Sequence, residues 1–302
     1  MWSEISKKIS SGDIKTLARA ISLVENEVEG FEDFLLSLEI SSNPKIIGIT
    51  GPPGAGKSTL TDALIGSLVN DGKKVAVLCV DPSSPFNLGA LLGDRIRMSE
   101  WYDNPNVYIR SLASRGSMGG LHPRIMEIAD VIKAANYDYI IIETVGVGQS
   151  EIEIAGLADA TIVVLVPESG DEIQTMKAGL MEIADIFVVN KSDRPGADSF
   201  VNNLRLMLAP AFQHKKFEIP IVKTSASNKE GIDELKAKIM ICLQQEQRER
   251  KLFLAAEKAY QLIRAHRMKD IDKSDLKDKI AEQGNEFNLY AFVRSFTIKS
   301  PF

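Results

Sequence analysis

Residues 51–58 read Gly-Pro-Pro-Gly-Ala-Gly-Lys-Ser, and this short run limits the possible folds more than any other stretch. A G-x-x-x-x-G-K-[ST] loop works where a strand delivers the chain to it and a helix leaves from it. Both flanks are present: the apolar "KIIGIT" precedes the loop and "STLTDALIGSLV" follows it. Glycines let backbone N–H groups converge on phosphate oxygens, and the helix N-terminus adds positive potential. Lys57 is placed to reach β- and γ-phosphates, and the Ser58 hydroxyl to ligate Mg²⁺. The candidate nucleotide-binding set here is Gly51, Pro52, Pro53, Gly54, Ala55, Gly56, Lys57, Ser58 and Thr59.

From Lys45 to about residue 245 the chain alternates between apolar, β-branched runs and helical patterns. The expected strands are "KIIGIT", "KVAVLCV", "VYIRSL", "YIIIE", "TIVVLV", "IFVVN" and "IPIVKT". Several are apolar throughout, as befits strands covered on both faces of a parallel sheet. The fold class is α/β: a doubly wound, mostly parallel sheet. Residues 1–44 are expected to form an N-terminal helical extension. Within it, Asp13 N-caps a helix that carries Ile14, Leu17, Ala18, Ile21 and Val28 on one face. Residues 45–245 make the nucleotide-binding domain. Residues 246–302 form a C-terminal helical arm with an apolar stripe at Leu252, Ala256, Ala259 and Ile263.

The phosphates are common to ATP and GTP, so the base must be read elsewhere. Asn190-Lys191-Ser192-Asp193 ends a later expected strand. An Asp carboxylate there accepts hydrogen bonds from guanine N1–H and the exocyclic amine. Adenine presents no such pair of donors. Asn190 can brace the loop and Lys191 can lie over the ring. Ser225 and Ala226, after the last strand, offer a backbone N–H to guanine O6. The nucleotide read from these positions is GTP.

Three acids follow the phosphate loop: Asp81 ends the second strand, Asp94 lies in "LGALLGDRIRM", and Glu143 ends "YIIIE". Mg²⁺ prefers octahedral oxygen coordination and keeps waters and phosphates, so it needs few protein ligands. The candidate metal set is Ser58, Asp81, Asp94 and Glu143; the candidate catalytic set is Lys57, Asp94 and Glu143. Gly146, in the turn after Glu143, allows a backbone N–H to approach the γ-phosphate. That turn is a route from hydrolysis to signal, ordered by GTP and released by GDP. Arg110, Ser114, Arg115 and His122 can face either this site or a partner.

Composition removes several classes. The net charge of −5 leaves no electrostatic footprint for nucleic acid or an anionic membrane. No apolar run approaches the ~18 residues of a membrane span, and the first residues lack the apolar core of a signal peptide. Cys79 and Cys242 sit far apart in apolar runs, as buried thiols of a reducing compartment do. The expectation is a cytoplasmic protein with no nucleic-acid or membrane partner.

"GPPGAGKSTL", "VDPSSP", "LGDRIRM", "RSLASRGSMGGL", "ETVGVGQSE" and "NKSD", in that order, resemble the MeaB/ArgK family of P-loop GTPases, to which the human methylmalonic aciduria type A protein is related. The resemblance covers roughly residues 13–245. It implies a GTPase of the SIMIBI class, homodimeric, with GTP/GDP and Mg²⁺ as cofactors. It further implies a partner, an adenosylcobalamin-dependent acyl-CoA mutase such as methylmalonyl-CoA mutase, whose cofactor delivery the protein gates and which it protects or reactivates. Lys57, Ser58, Asp81, Asp94, Glu143, Asn190, Lys191 and Asp193 match family site positions. Glu168, Asp171, Gln174 and Lys177 match a mobile segment tied to partner signalling.

Two other readings compete. A nickel-insertion GTPase usually carries His- or Cys-rich segments, whereas this chain has three histidines and two cysteines. A P-loop kinase or ATPase linked to amino-acid transport has no need of a guanine reader. No arginine finger in cis can be named, so hydrolysis without a partner is expected to be slow.

Overall fold

The structure is a computed structural model. It describes residues 1–40, 43–81, 98–114, 121–144, 151–168, 183–212, 219–244 and parts of 252–297. Residues 1–247 form one compact unit and 248–302 a second.

In the first unit the elements run α1 (Trp2–Ser10), α2 (Ile14–Glu25), α3 (Phe31–Leu36), β1 (Lys45–Thr50), α4 (Lys57–Asn70), β2 (Val75–Asp81), β3 (Val107–Ala113), α5 (Ile125–Lys133), β4 (Tyr139–Glu143), α6 (Glu151–Leu157), β5 (Ala160–Leu165), β6 (Ile186–Val189), α7 (Ala197–Phe212), β7 (Ile221–Lys223) and α8 (Ile232–Gln244). The seven strands form one sheet in the order β3-β2-β4-β1-β5-β6-β7, and each pairing is parallel. The expected α/β class and parallel sheet are therefore what the chain adopts.

Alternation along each strand divides the core in two. Ile46, Leu78, Ile140, Ile142, Val163 and Phe187 face a layer that includes α1–α3 and α5–α7. Ile47, Ile49, Val77, Ile141, Val164 and Val188 face α4 and α8. Burial on both faces explains why these strands lack a polar period. β1 lies between β4 and β5, so the chain leaves it toward opposite sheet edges in turn. The crevice at the carboxyl ends of such strands is where open α/β sheets bind ligands.

Asp13 is the N-cap of α2: its Oδ1 accepts from Thr16 N–H at 3.0 Å, and this bond lowers the carboxyl pKa. The buried face of α2 is Leu17, Ala20, Ile21 and Val24, with Ala18 packed beside it; of the stripe read from sequence, Ile14 and Val28 do not belong to it. Ile14 is 41% exposed, and Val28 lies past the helix, which ends at Glu25 ahead of a left-handed residue at Glu27 (φ 51°). The face also takes in Ala20 and Val24 because α2 packs against both α1 and α5. Replacing Asp13 with alanine is expected to lower the urea denaturation midpoint, through loss of the cap. α1 carries no motif, but it buries Ile5 and Ile9 and stacks Trp2 on Phe34 at 4.7 Å.

In the second unit, α9 (Lys273–Gln283) and α10 (Leu289–Thr297) follow the stripe residues. Leu252, Ala256, Ala259 and Ile263 are each helical and exposed, Leu252 by 64% and Ile263 by 53%.

Candidate functional site

β1 ends at Thr50, and the loop 51–56 turns the chain into α4. Gly51 adopts φ 140°, and a Cβ there would fall 2.1 Å from the Val164 carbonyl oxygen of β5. Only glycine lets the loop start this close to the neighbouring strand. Gly51→Ala is expected to destabilise the fold by about 3 kcal/mol, measured as a fall in the denaturation midpoint. Lys57 and Ser58 open α4 and are buried. The Lys57 ammonium donates to Gly51 O at 2.9 Å and Pro52 O at 3.1 Å, lying back along the loop it serves.

The register of β1, β2 and β4 brings the acids to this loop. Glu143 pairs with Ile49 on one side and Cys79 on the other, and Asp81 closes β2 two residues further on. Glu143 is 3% exposed. Its Oε1 accepts from Ser58 Oγ at 2.6 Å and its Oε2 lies 2.9 Å from Thr61 Oγ1. The backbone of Asp81 accepts from Ser114 N–H at 2.9 Å, and its side chain is buried. Thr144 begins the turn after β4: its N–H donates to Ile49 O at 3.0 Å, and its hydroxyl meets that of Thr50 at 2.9 Å. Asp94, Arg115, Gly146, Asp171, Gln174 and Lys177 lie outside the described residues.

At the other end of the loop, the Asn-Lys-Ser-Asp turn is docked on the phosphate loop itself. Asn190 Nδ2 donates to Ala55 O at 2.9 Å, and its Oδ1 accepts from Thr224 Oγ1 and Ala226 N–H, each at 3.1 Å. A Cβ on Gly56 would come within 2.4 Å of Asn190 Nδ2, so the contact requires that glycine. Lys191, with φ 55°, donates to Gly54 O at 2.8 Å. Ser225 Oγ donates to Asp193 Oδ1 at 2.7 Å and accepts from Asn228 Nδ2 at 3.1 Å. The Ser225 bond holds the Asp193 carboxyl below its usual range, so Asp193 is an acceptor at neutral pH. Arg194, next in sequence, pairs with Glu168, just beyond β5.

Arg110 and His122 face elsewhere. Arg110 donates to Glu25 Oε2 at 2.9 Å and to Ser22 Oγ at 3.1 Å, both on α2. His122 is 2% exposed, with Nδ1 accepting from Arg124 N–H at 3.0 Å and Nε2 3.8 Å from Glu25 Oε1. Arg110 ties α2 to β3, and His122 lies against the same glutamate from the segment before α5. The motif reading passed over Thr61, Thr224 and Asn228. A signal for Thr61 was available in its spacing, a hydroxyl one turn from Ser58 on the same helix face; its complete burial came only with the structure.

The site as built can grip a polyphosphate at 51–58, offer oxygen donors from Ser58, Asp81 and Glu143 beside it, and present a carboxylate to a base at Asp193. Among the described residues no three His, Cys, Asp or Glu side chains converge. Hard oxygen donors in small number suit an ion that draws its remaining ligands from phosphate and water.

A parallel α/β sheet with this loop at the end of β1 and an Asn-Lys-x-Asp turn seated on it defines a P-loop GTPase. The chain belongs to the MeaB family: the model for the methylmalonyl Co-A mutase-associated GTPase MeaB matches residues 17–285. Among relatives, the GTPase ArgK of Escherichia coli is 38% identical over 244 residues, covering 77% of this chain and 73% of that one. The methylmalonic aciduria type A homolog of Caenorhabditis elegans, a mitochondrial protein, is 35% identical over 254 residues, 77% of this chain and 63% of its own. In structure, the chain is similar to a protein solved as LAO/AO transport system kinase. The TM-score is 0.67 and the identity 28%, over 99% of this chain and 98% of that one. The expected family and GTPase activity thus agree with the relatives.

Proposed function

We propose that this GTPase is a Mg²⁺-dependent switch that gates adenosylcobalamin delivery to an acyl-CoA mutase of the methylmalonyl-CoA mutase type and protects or reactivates it. The observation that carries the mutase half is the match over residues 17–285 to a family described by its association with that enzyme. The docking of Asn190 and Lys191 on Ala55 and Gly54 supports the GTP half, because it joins base reading to phosphate binding in one rigid surface. It also favours a GTPase over an ATP-using kinase.

In this reading Lys57 turns its donors from the loop carbonyls to the β- and γ-phosphates, and the backbone N–H groups of 51–58 hold the remaining charge. Ser58, Asp81 and Asp94 would hold the ion, which would supply charge neutralisation to the phosphates. Glu143 accepts the hydrogen bond from Ser58 Oγ, which orients that hydroxyl. Thr144 and Gly146 carry the state of the γ-phosphate into the turn after β4. The exposed Leu252, Ala256, Ala259 and Ile263 stripe supports a homodimer through the C-terminal arm, since apolar stripes of this kind mark contact surfaces. The working compartment is the cytoplasm.

The experiment pairs the purified protein with an acyl-CoA mutase and follows GTP turnover and co-elution. The expected result is slow turnover alone, a complex on gel filtration, and a rate raised by roughly tenfold or more when the mutase is added. No complex and no change in rate would overturn the mutase half and leave the GTPase standing.

A further inference from the structure

Thr61 sits one turn beyond Ser58 on α4 with 0% exposure. Its Oγ1 lies 2.9 Å from Glu143 Oε2 and 3.0 Å from Lys57 O. Ser58 Oγ lies 2.6 Å from the other carboxylate oxygen, Glu143 Oε1. One face of one helix therefore engages both oxygens of Glu143.

We propose that Thr61 is a positioning residue for the ion site: it pins the plane of the Glu143 carboxylate so that Glu143 holds the Ser58 proton and turns the Ser58 lone pairs toward Mg²⁺. The inference rests on the reading of Ser58 as an ion ligand given above. A serine hydroxyl has one proton and two lone pairs. Both lone pairs point away from Glu143 only when the proton points at it. A carboxylate held at a single oxygen can swing about its terminal bond, and Ser58 would swing with it. A second donor on the other oxygen removes that freedom.

Thr61 has a single hydroxyl proton and two acceptors within reach. The carboxylate is the stronger of them, because a hydrogen bond to an ionised acceptor is about twice as strong as a neutral one. Threonine uses two χ1 rotamers in a helix, and Oγ1 beside the Lys57 carbonyl, four residues back, identifies the one adopted. With one hydroxyl on each oxygen, Glu143 acts on the ion through Ser58. This assigns a purpose to glutamate at the end of β4: its carboxylate spans two hydroxyls set a helical turn apart.

The test uses the full chain loaded with N-methylanthraniloyl-GDP, with nucleotide release followed as Mg²⁺ is titrated. Thr61→Val is expected to raise the Mg²⁺ concentration for half-maximal retention roughly tenfold, while affinity in EDTA stays within about twofold. Thr61→Ser, which keeps the donor, is expected to return to wild-type behaviour. Thr61→Ala should shift the midpoint as Thr61→Val does and serves if the valine variant folds poorly. In a double-mutant cycle with Glu143→Gln the shifts should be far from additive.

An unchanged midpoint in both donor-less variants overturns the proposal, as does an equal loss of affinity in EDTA or full additivity with Glu143→Gln. Ser58→Ala, run alongside, separates the two levels. If it too leaves the midpoint unchanged, the ion-ligand reading falls and this inference with it. If Ser58→Ala shifts the midpoint and the Thr61 variants do not, only the role of Thr61 falls.

Discussion

Lys57→Ala is expected to lower GTP turnover by about 10³-fold while leaving the fold intact, a loss of the size seen when one preorganised donor to a developing charge is removed. The ammonium lies along the phosphate loop at 2.9 and 3.1 Å from two of its carbonyls. It is thus held beside the phosphate path before nucleotide arrives and costs little reorganisation when charge moves onto the γ-phosphate oxygens. Alanine removes that charge and leaves Gly51 O and Pro52 O to other donors. Lys57→Arg is not expected to restore the rate, since a planar guanidinium in place of a compact ammonium cannot make the same approach. Single-turnover hydrolysis with saturating GTP reads the effect. A thermal melt confirms that the loop, shaped by Gly51 and Gly56 against Val164 and Asn190, survives.

The second large effect is expected at the base. Asp193→Asn should weaken GTP binding by roughly 10³-fold, as two hydrogen bonds to a charged acceptor are lost. It should also improve binding of XTP. Guanine offers two donors, N1–H and the exocyclic amine, and a carboxylate accepts both. Ser225 Oγ donates to Asp193 Oδ1 at 2.7 Å and is itself steadied by Asn228. In the asparagine variant the same serine keeps the amide oxygen, so the amide nitrogen turns toward the base. Guanine then meets donor with donor, whereas xanthine, with a carbonyl at C2, meets a donor with an acceptor. Competition binding of GTP and XTP checks the exchange. Asp193 is exposed, so stability should change little.

Much of this protein could be read without coordinates. The strand runs appear as apolar, β-branched segments because a parallel sheet covered on both faces leaves no polar period to confuse them. The phosphate loop and the Asn190–Asp193 turn are legible because backbone chemistry demands particular residues at particular spacings. The N-terminal helices were harder. α2 was found, with its cap and with Leu17 and Ile21 of its buried face, but its extent was misjudged at Ile14 and Val28, because packing on α1 and α5 sets the edges of that face. Arg110 and His122 sit near motif sequence, yet their side chains serve α2. Local sequence offers no means of telling a site arginine from one that answers a half-buried glutamate 85 residues away.

Glu143 shows where the division falls. By itself the sequence determined a P-loop α/β GTPase domain, because the glycine-rich loop with Lys57 and Ser58, and the Asn190–Asp193 turn, form spacings that phosphate and base chemistry demand. It also placed an acid at the end of β4. Only the tertiary structure decided what that acid does, since β4 is third in the sheet while α4 comes far earlier in the chain. Their approach puts two α4 hydroxyls on one carboxylate across separations of 85 and 82 residues. Hydrogen bonds act over about 3 Å, so a contact between elements this remote in sequence exists only once the sheet has assembled.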